Sequence, residues 1–162
     1  MKTQHEHGGR PDVLLYSDGA CSPNPGLGGW GVVLIAPGHE GARRELWGAE
    51  ANTTNNRMEL MGVIKGLEAL KRPCHVTVTT DSEYIQKAFT QGWLEKWQRN
   101  GWRTAGRKPV KNEDLWRRLV KLIRRHKTVQ WHWVRGHADN EENNRCDELA
   151  VQARSRLAEQ LQ

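Results

Sequence analysis

The chain has no apolar run of membrane-spanning length and no signal-peptide pattern, so nothing in its 162 residues calls for a bilayer or for export. Cysteine is scarce. Cys21, Cys74 and Cys146 are odd in number and fit no metal-ligand spacing, which argues against a disulfide scaffold or a zinc module. Reduced thiols in a cytoplasmic protein are the expectation. Phenylalanine occurs once and tyrosine twice, so most aromatic contacts fall to the 8 tryptophans. Neither an internal repeat nor a domain boundary is evident. Residues 1–11, with His5, His7, Gly8 and Gly9, read as a flexible tail, and residues 12–162 as one domain large enough for a core.

Charge is abundant but unevenly placed. The net charge is +6, and 27% of residues are charged. Residues 84–127 carry 13 Lys or Arg against 3 acids, a balance of +10 that leaves −4 for the rest of the chain. One part of the surface therefore suits a polyanion, while acids gather elsewhere.

Two apolar runs flank the Pro-, Asn- and Gly-rich turn Ser22-Pro23-Asn24-Pro25-Gly26 and predict a hairpin. The runs are nearly continuous rather than alternating, as expected of strands covered on both faces near the middle of a sheet. Residues 41–51 read as a third strand. Thr53-Thr54-Asn55-Asn56 supplies capping side chains for a helix in which Met58, Met61, Ile64 and Leu67 recur at helical spacing. Glu59 lies off that stripe, on a face with Gly62, Val63 and Gly66. Two glycines within a helix cost stability, and a close approach to another backbone would justify them. Residues 75–81 predict a strand ending in Asp81, and Ser82 opens a helix through Thr90. Residues 92–111 interleave Trp93, Trp97 and Trp102 with basic residues, and Gly101, Gly106 and Pro109 break them into a projecting segment. Leu115, Leu119, Leu122 and Ile123 mark an amphipathic helix with a basic outer face. A last strand over 128–134, the loop from Arg135 to Glu142, and a helix from about Asn144 complete the order, with Asp147 in that helix's first turn.

This order predicts an α/β fold: an antiparallel meander extended by parallel strands, five in all, with helices on both faces. Asp18 and Asp81 would then leave parallel strands at the same sheet end, within reach of Glu59 and Asp147 on flanking helices. Four carboxylates in one pocket repel and call for cations. Hard oxygen donors suit Mg²⁺ or Mn²⁺, and two such ions can promote phosphodiester hydrolysis.

Several stretches resemble ribonuclease H type 1 in its bacterial form. They are Tyr16-Ser17-Asp18-Gly19-Ala20, Thr53-Thr54-Asn55-Asn56-Arg57-Met58-Glu59-Leu60, Thr80-Asp81-Ser82, Trp133-Val134-Arg135-Gly136-His137-Ala138 and Arg145-Cys146-Asp147-Glu148-Leu149-Ala150. Gly101-Trp102 and Lys108-Pro109-Val110-Lys111-Asn112 match as well, and the resemblance spans roughly residues 12–155. It implies the ribonuclease H-like fold and endonucleolytic hydrolysis of the RNA strand of an RNA–DNA hybrid, leaving 5′-phosphate and 3′-hydroxyl ends. Asp18, Glu59, Asp81 and Asp147 match the metal-binding catalytic carboxylates for two Mg²⁺ ions, with Mn²⁺ a possible substitute, and His137 matches a mobile-loop histidine. By the same resemblance Asn24, Asn55 and Glu83 contact 2′-hydroxyls. Asn52, Thr54 and Lys96 lie near a pocket for a DNA-strand phosphate, and Trp93 and Trp97 lie along the DNA path. Residues 92–111 look like the family's basic protrusion, where Arg103, Arg107 and Lys108 would meet the duplex. A monomer is expected.

The chain also departs from the family pattern. Glu83 stands where Gln is common, and a carboxylate can only accept hydrogen bonds. Asn52 stands where Arg is common, Pro23 replaces a glycine, Gly92 adds a residue, and a second histidine after His137 is missing. Two rival readings stand beside this one: a catalytically dead hybrid-binding module, and another metal nuclease on the same fold. Trp30, Trp102, Trp116 and Trp131 are expected in the core. His39, His75, His126 and His132 are expected to be structural or solvated.

Overall fold

The computed structural model describes residues 11–135 and 140–162. The tail apart from Pro11, and His137 with its loop, lie outside them. One five-stranded sheet organises the rest, built from β1 (Val13–Cys21), β2 (Gly26–Ala36), β3 (Ala42–Thr53), β4 (His75–Thr80) and β5 (Thr128–Trp133). Their order is β3-β2-β1-β4-β5. The first three pair antiparallel, while β1–β4 and β4–β5 are parallel.

The continuous apolar runs are explained by this order. β1 is the central strand, and β2 is buried from Gly28 through Leu34 because helices cover both of its faces. On one face lies α1 (Asn55–Glu68), packed against β1 and β2 and backed by α4 (Glu113–Arg125). On the other lies α5 (Glu141–Gln160), against β1, β2 and β3. Two shorter helices, α2 (Glu83–Thr90) and α3 (Trp93–Arg99), follow β4.

Close approach accounts for the helix glycines. A Cβ at Gly66 would fall 2.6 Å from Cδ1 of Leu15, and one at Gly62 would fall 3.3 Å from the Ser17 Cβ. α1 therefore sits tightly on β1, and Glu59 is carried toward the sheet end with it. Thr54 caps the helix, its hydroxyl oxygen accepting from the Arg57 amide at 3.2 Å.

One expectation needs correction. The last helix begins at Glu141 rather than near Asn144, because the Asn140 side chain caps it by accepting from the Asn143 amide at 2.9 Å. Asp147 is consequently in the second turn, not the first. The segment 92–111 has two parts. It opens with α3, whose Leu94 is buried, and only then projects as a small hairpin with Arg103 bridged to Pro109.

Of the expected core tryptophans, Trp30, Trp102 and Trp116 are buried, and Trp131 is half-buried beneath Phe89 at 4.7 Å between ring centroids. His75 and His126 are structural. The His75 ring meets the Thr128 hydroxyl, and His126 Nδ1 accepts from the Cys74 amide.

Candidate active site

The parallel pairing of β1 with β4 decides where the acids emerge. Tyr16 is opposite Thr79, so two residues further on Asp18 and Asp81 leave the same end of the sheet side by side. Asp18 is buried there, at 6% exposure. Burial first, then the charges of Asp81 and Asp147, push its carboxyl up to about 9. Asp147 comes close enough to share a side-chain hydrogen bond with the Asp18 carboxyl, which works in the same upward direction. Glu59 reaches the same place from α1. Burial raises it to about 7 with help from the charges of Asp81 and Glu83, while a hydrogen bond from the Ser82 hydroxyl works the other way.

The structure thus links Glu59 to Asp81, Asp81 to Asp18 and Asp18 to Asp147. As they stand, the carboxylates form a chain and not a cage: among the described residues no three His, Cys, Asp or Glu converge closely enough to hold one ion. The donor set nevertheless suits a hard divalent cation. It is all oxygen, and burial together with neighbouring acids holds Asp18 and Glu59 above the ordinary carboxylate range, a cost that a bound cation would offset.

A cavity of about 500 Å³ opens beside this chain, lined by Asn55, Glu59, Asp81, Glu83 and Trp93 among others. A larger cavity, about 550 Å³, lies at the opposite sheet end among Asp12, Lys71, Arg72 and Lys127. It has one acid and no counterpart to the carboxylate chain, so chemistry and not size selects the first.

The other residues expected at the site are spread around it. Asn24 and Asn55 meet, the Asn24 side chain accepting from the Asn55 amide at 3.1 Å, so the β1–β2 turn is fastened to the start of α1. Asn52 is exposed at the end of β3, next to the capping Thr54. Arg103, Arg107 and Lys108 are exposed on the hairpin, which is closed by hydrogen bonds from the Thr104 amide to the Lys108 carbonyl and from the Val110 amide to the Trp102 carbonyl. Lys96 is exposed on α3. Trp93 belongs to the cavity wall, whereas Trp97 packs among Trp93, Trp102 and Trp116 with its ring 5.6 Å from that of Trp116.

Sequence reasoning missed the groups that brace this end. Arg57, two residues before Glu59, makes a two-pronged pair with Asp114 at 2.9 and 2.7 Å. Tyr84 accepts from Asn112 at 3.0 Å and from the Trp116 indole at 2.9 Å. These bonds tie α1 and α2 to the base of the hairpin. Asn143 is fully buried, and its amide reaches the carbonyl of Ser17, the neighbour of Asp18. Its position four residues before Asp147, on the same helix face, was the available signal.

The sequence profile of the RNase H family matches residues 10–155. The chain belongs to the RNase H family. Its relatives are bacterial type 1 enzymes. It is 59% identical over 139 residues to the ribonuclease H of Ralstonia nicotianae, a match covering 86% of this chain and 89% of the relative. Identity to the ribonuclease HI of Pseudomonas syringae pv. tomato is 56% over 138 residues, covering 85% and 89%. Among solved structures, LC9-RNase H1, described as a type 1 RNase H with the type 2 active-site motif, superposes with a TM-score of 0.75 at 37% identity, over 90% of this chain and 72% of that one. The fold is accordingly that of RNase H, as the order of elements predicts.

Proposed function

We propose that this protein is an endonuclease that hydrolyses the RNA strand of RNA–DNA hybrids, leaving 5′-phosphate and 3′-hydroxyl ends, with two Mg²⁺ ions or Mn²⁺ in their place. One observation carries the reading. Asp18, Glu59, Asp81 and Asp147 are strung along one sheet end with Asp18 and Glu59 held far above the ordinary carboxylate range. A binding module has no use for that arrangement, since uncompensated acids repel phosphates. Family membership and the name ribonuclease H shared by the relatives support the substrate.

The four carboxylates would hold the cations. Divalent ions bound there supply Lewis-acid stabilisation of the charge that builds on a phosphodiester as it is cleaved. The chain's own residues do the rest. Asn24, Asn55 and Glu83 read 2′-hydroxyls, the groups that distinguish RNA from DNA. Asn52, Thr54 and Lys96 hold a DNA-strand phosphate, and Trp93 and Trp97 line the DNA path, Trp97 chiefly by supporting Trp93. Arg103, Arg107 and Lys108 engage the duplex backbone without sequence choice. His137 moves a proton or helps the product leave. The chain works as a monomeric, single-domain cytoplasmic enzyme. Among the described residues no helix is long and apolar enough to cross a membrane.

The deciding experiment compares cleavage of labelled hybrid, double-stranded DNA and double-stranded RNA, each with Mg²⁺ and with EDTA. Hybrid cut on its RNA strand only, and only with metal, is the expected result. Cleavage of either homoduplex at a comparable rate would indicate a different nuclease, and binding without cleavage a hybrid-binding module.

A further inference from the structure

The cavity beside the acids contains one cation to which neither the motifs nor the proposed activity gives a role. Lys87 lies one helical turn beyond Glu83 on α2 and lines the same 500 Å³ space as Glu59, Asp81, Glu83 and Trp93. Ile85 and Ala88 bury the other side of α2, leaving Glu83 and Lys87 exposed together. A glutamate followed four residues later by a lysine is the favourable order for an ion pair along a helix. Even so, Lys87 pairs with no carboxylate among the described residues, although three carboxylates share its cavity.

The charge of Glu83 makes that lysine consequential. Glu83 is close enough to Glu59 to bear on its carboxyl. Glu83 is a further acid on the wall of that cavity, and an acid there disfavours a phosphate backbone. Two features offset the cost. A carboxylate can accept a hydrogen bond from a 2′-hydroxyl, which deoxyribose lacks. An ammonium one turn away, about 5–6 Å between Cβ atoms, can hold the phosphate next to that ribose.

We propose that Lys87 is a substrate-binding residue whose ammonium holds an RNA-strand phosphate, and that Lys87 and Glu83 together read one ribonucleotide. The proposal rests on the hybrid-nuclease reading of the site. It adds a residue to that reading and makes the carboxylate at position 83 tolerable.

The experiment measures kcat and KM for hybrid cleavage in Mg²⁺ from 50 to 200 mM salt. The proteins compared are the wild type, Lys87→Gln, Lys87→Arg, Glu83→Gln and the double variant Glu83→Gln/Lys87→Gln. Lys87→Gln should raise KM about tenfold, the scale of one charged hydrogen bond. Its kcat should stay within about twofold, because an interaction made equally in ground and transition states does not accelerate the chemistry. The slope of log(1/KM) against log salt should become shallower by about 0.9. Lys87→Arg should stay close to wild type. With Glu83→Gln already present, removing the Lys87 charge should cost several-fold less, since the repulsion it offsets has gone. An unchanged KM and salt slope in Lys87→Gln would overturn the phosphate-binding role. Equal losses in both Glu83 backgrounds would overturn the joint reading of one ribonucleotide. If the wild type fails to cut hybrid, or cuts it in EDTA, the function of the whole site is misread, and that shows before any variant is compared.

Discussion

The acid end of the sheet and the basic hairpin carry charges of opposite sign, and the protein treats the two in opposite ways. The acids are drawn inward. Asp18 is almost completely buried, and burial is the first cause of the upward shifts of both Asp18 and Glu59. The cations stay out. Arg103, Arg107 and Lys108 are all exposed on a turn closed by backbone hydrogen bonds and by the Thr104 hydroxyl, which accepts from the Lys108 amide. Desolvated charge is costly and strongly felt, so a few groups can organise a reaction. Solvated charge is cheap and weakly felt, so it serves affinity through numbers. The braces between Arg57 and Asp114 and between Tyr84 and Asn112 hold these two regimes in register.

The largest effect should come from the acid end. Asp81→Asn should abolish cleavage while leaving hybrid binding intact or tighter, because on the proposed reading the change removes a metal-holding charge and relieves repulsion. Gel-shift and cleavage assays on the same preparation check this, and substantial Mg²⁺-dependent turnover would remove Asp81 from the catalytic set.

His137 should matter less. A positioned proton-transfer group contributes about 10²–10⁴-fold, so His137→Ala should turn over slowly but measurably, with KM moved less than kcat and metal affinity little changed. Wild-type kcat would eliminate the role. Inactivation as complete as in Asp81→Asn together with weakened metal binding would instead make it a ligand.

On the basic side, neutralising Arg103, Arg107 and Lys108 together should raise KM and leave kcat nearly alone. The slope of log affinity against log salt should flatten by up to about 0.9 for each duplex phosphate that the hairpin no longer neutralises. A salt slope identical to that of the wild type would detach the hairpin from the duplex.

The smallest effect concerns stability without metal. The folded-state value for Asp18 lies near 9, far above the ordinary carboxylate value. The folded protein therefore binds that proton more tightly than the unfolded chain. The associated stability is complete below pH of about 4 and is lost as pH rises toward 9. Asp18→Asn removes this dependence. In EDTA at pH 8 the variant should melt above wild type by about 2–4 °C for each kcal/mol relieved, and the gap should close by pH 4. A gap that is the same at both pH values would mean that ionisation of Asp18 is not its source.

Much of this is readable from the chain because the relevant signals are local. Apolar runs, the Thr54 cap and the glycines of α1 each constrain their own segment, and parallel pairing then brings Asp18 and Asp81 together. What escapes a reading of the chain is non-local or depends on one side chain. Asn140 starts α5 three residues early by capping it, and the burial of Leu94 in the core turns part of a glycine-punctuated stretch into α3. The Arg57–Asp114 pair joins residues 57 positions apart, and no spacing rule reaches that far. Lys87 goes unmarked because its spacing from Glu83 reads as an ordinary surface ion pair along a helix. Only the cavity around it sets it apart.

The pairing of Tyr16 with Thr79 also bears on how the gene can change length. The strands that deliver the two aspartates are held by backbone hydrogen bonds at a spacing of about 4.8 Å that side-chain repacking does not alter. Substitutions in the core can therefore accumulate while the placement of Asp18 and Asp81 at one sheet end stays the same. An insertion or deletion within β1 is another matter. Because side chains alternate across a strand, a one-residue slip would send Asp18 to the opposite face and bring Ser17 or Gly19 level with Asp81. A change of length is far less disruptive where no register is at stake, as at Gly92, whose positive φ joins α2 to α3 with open space around it.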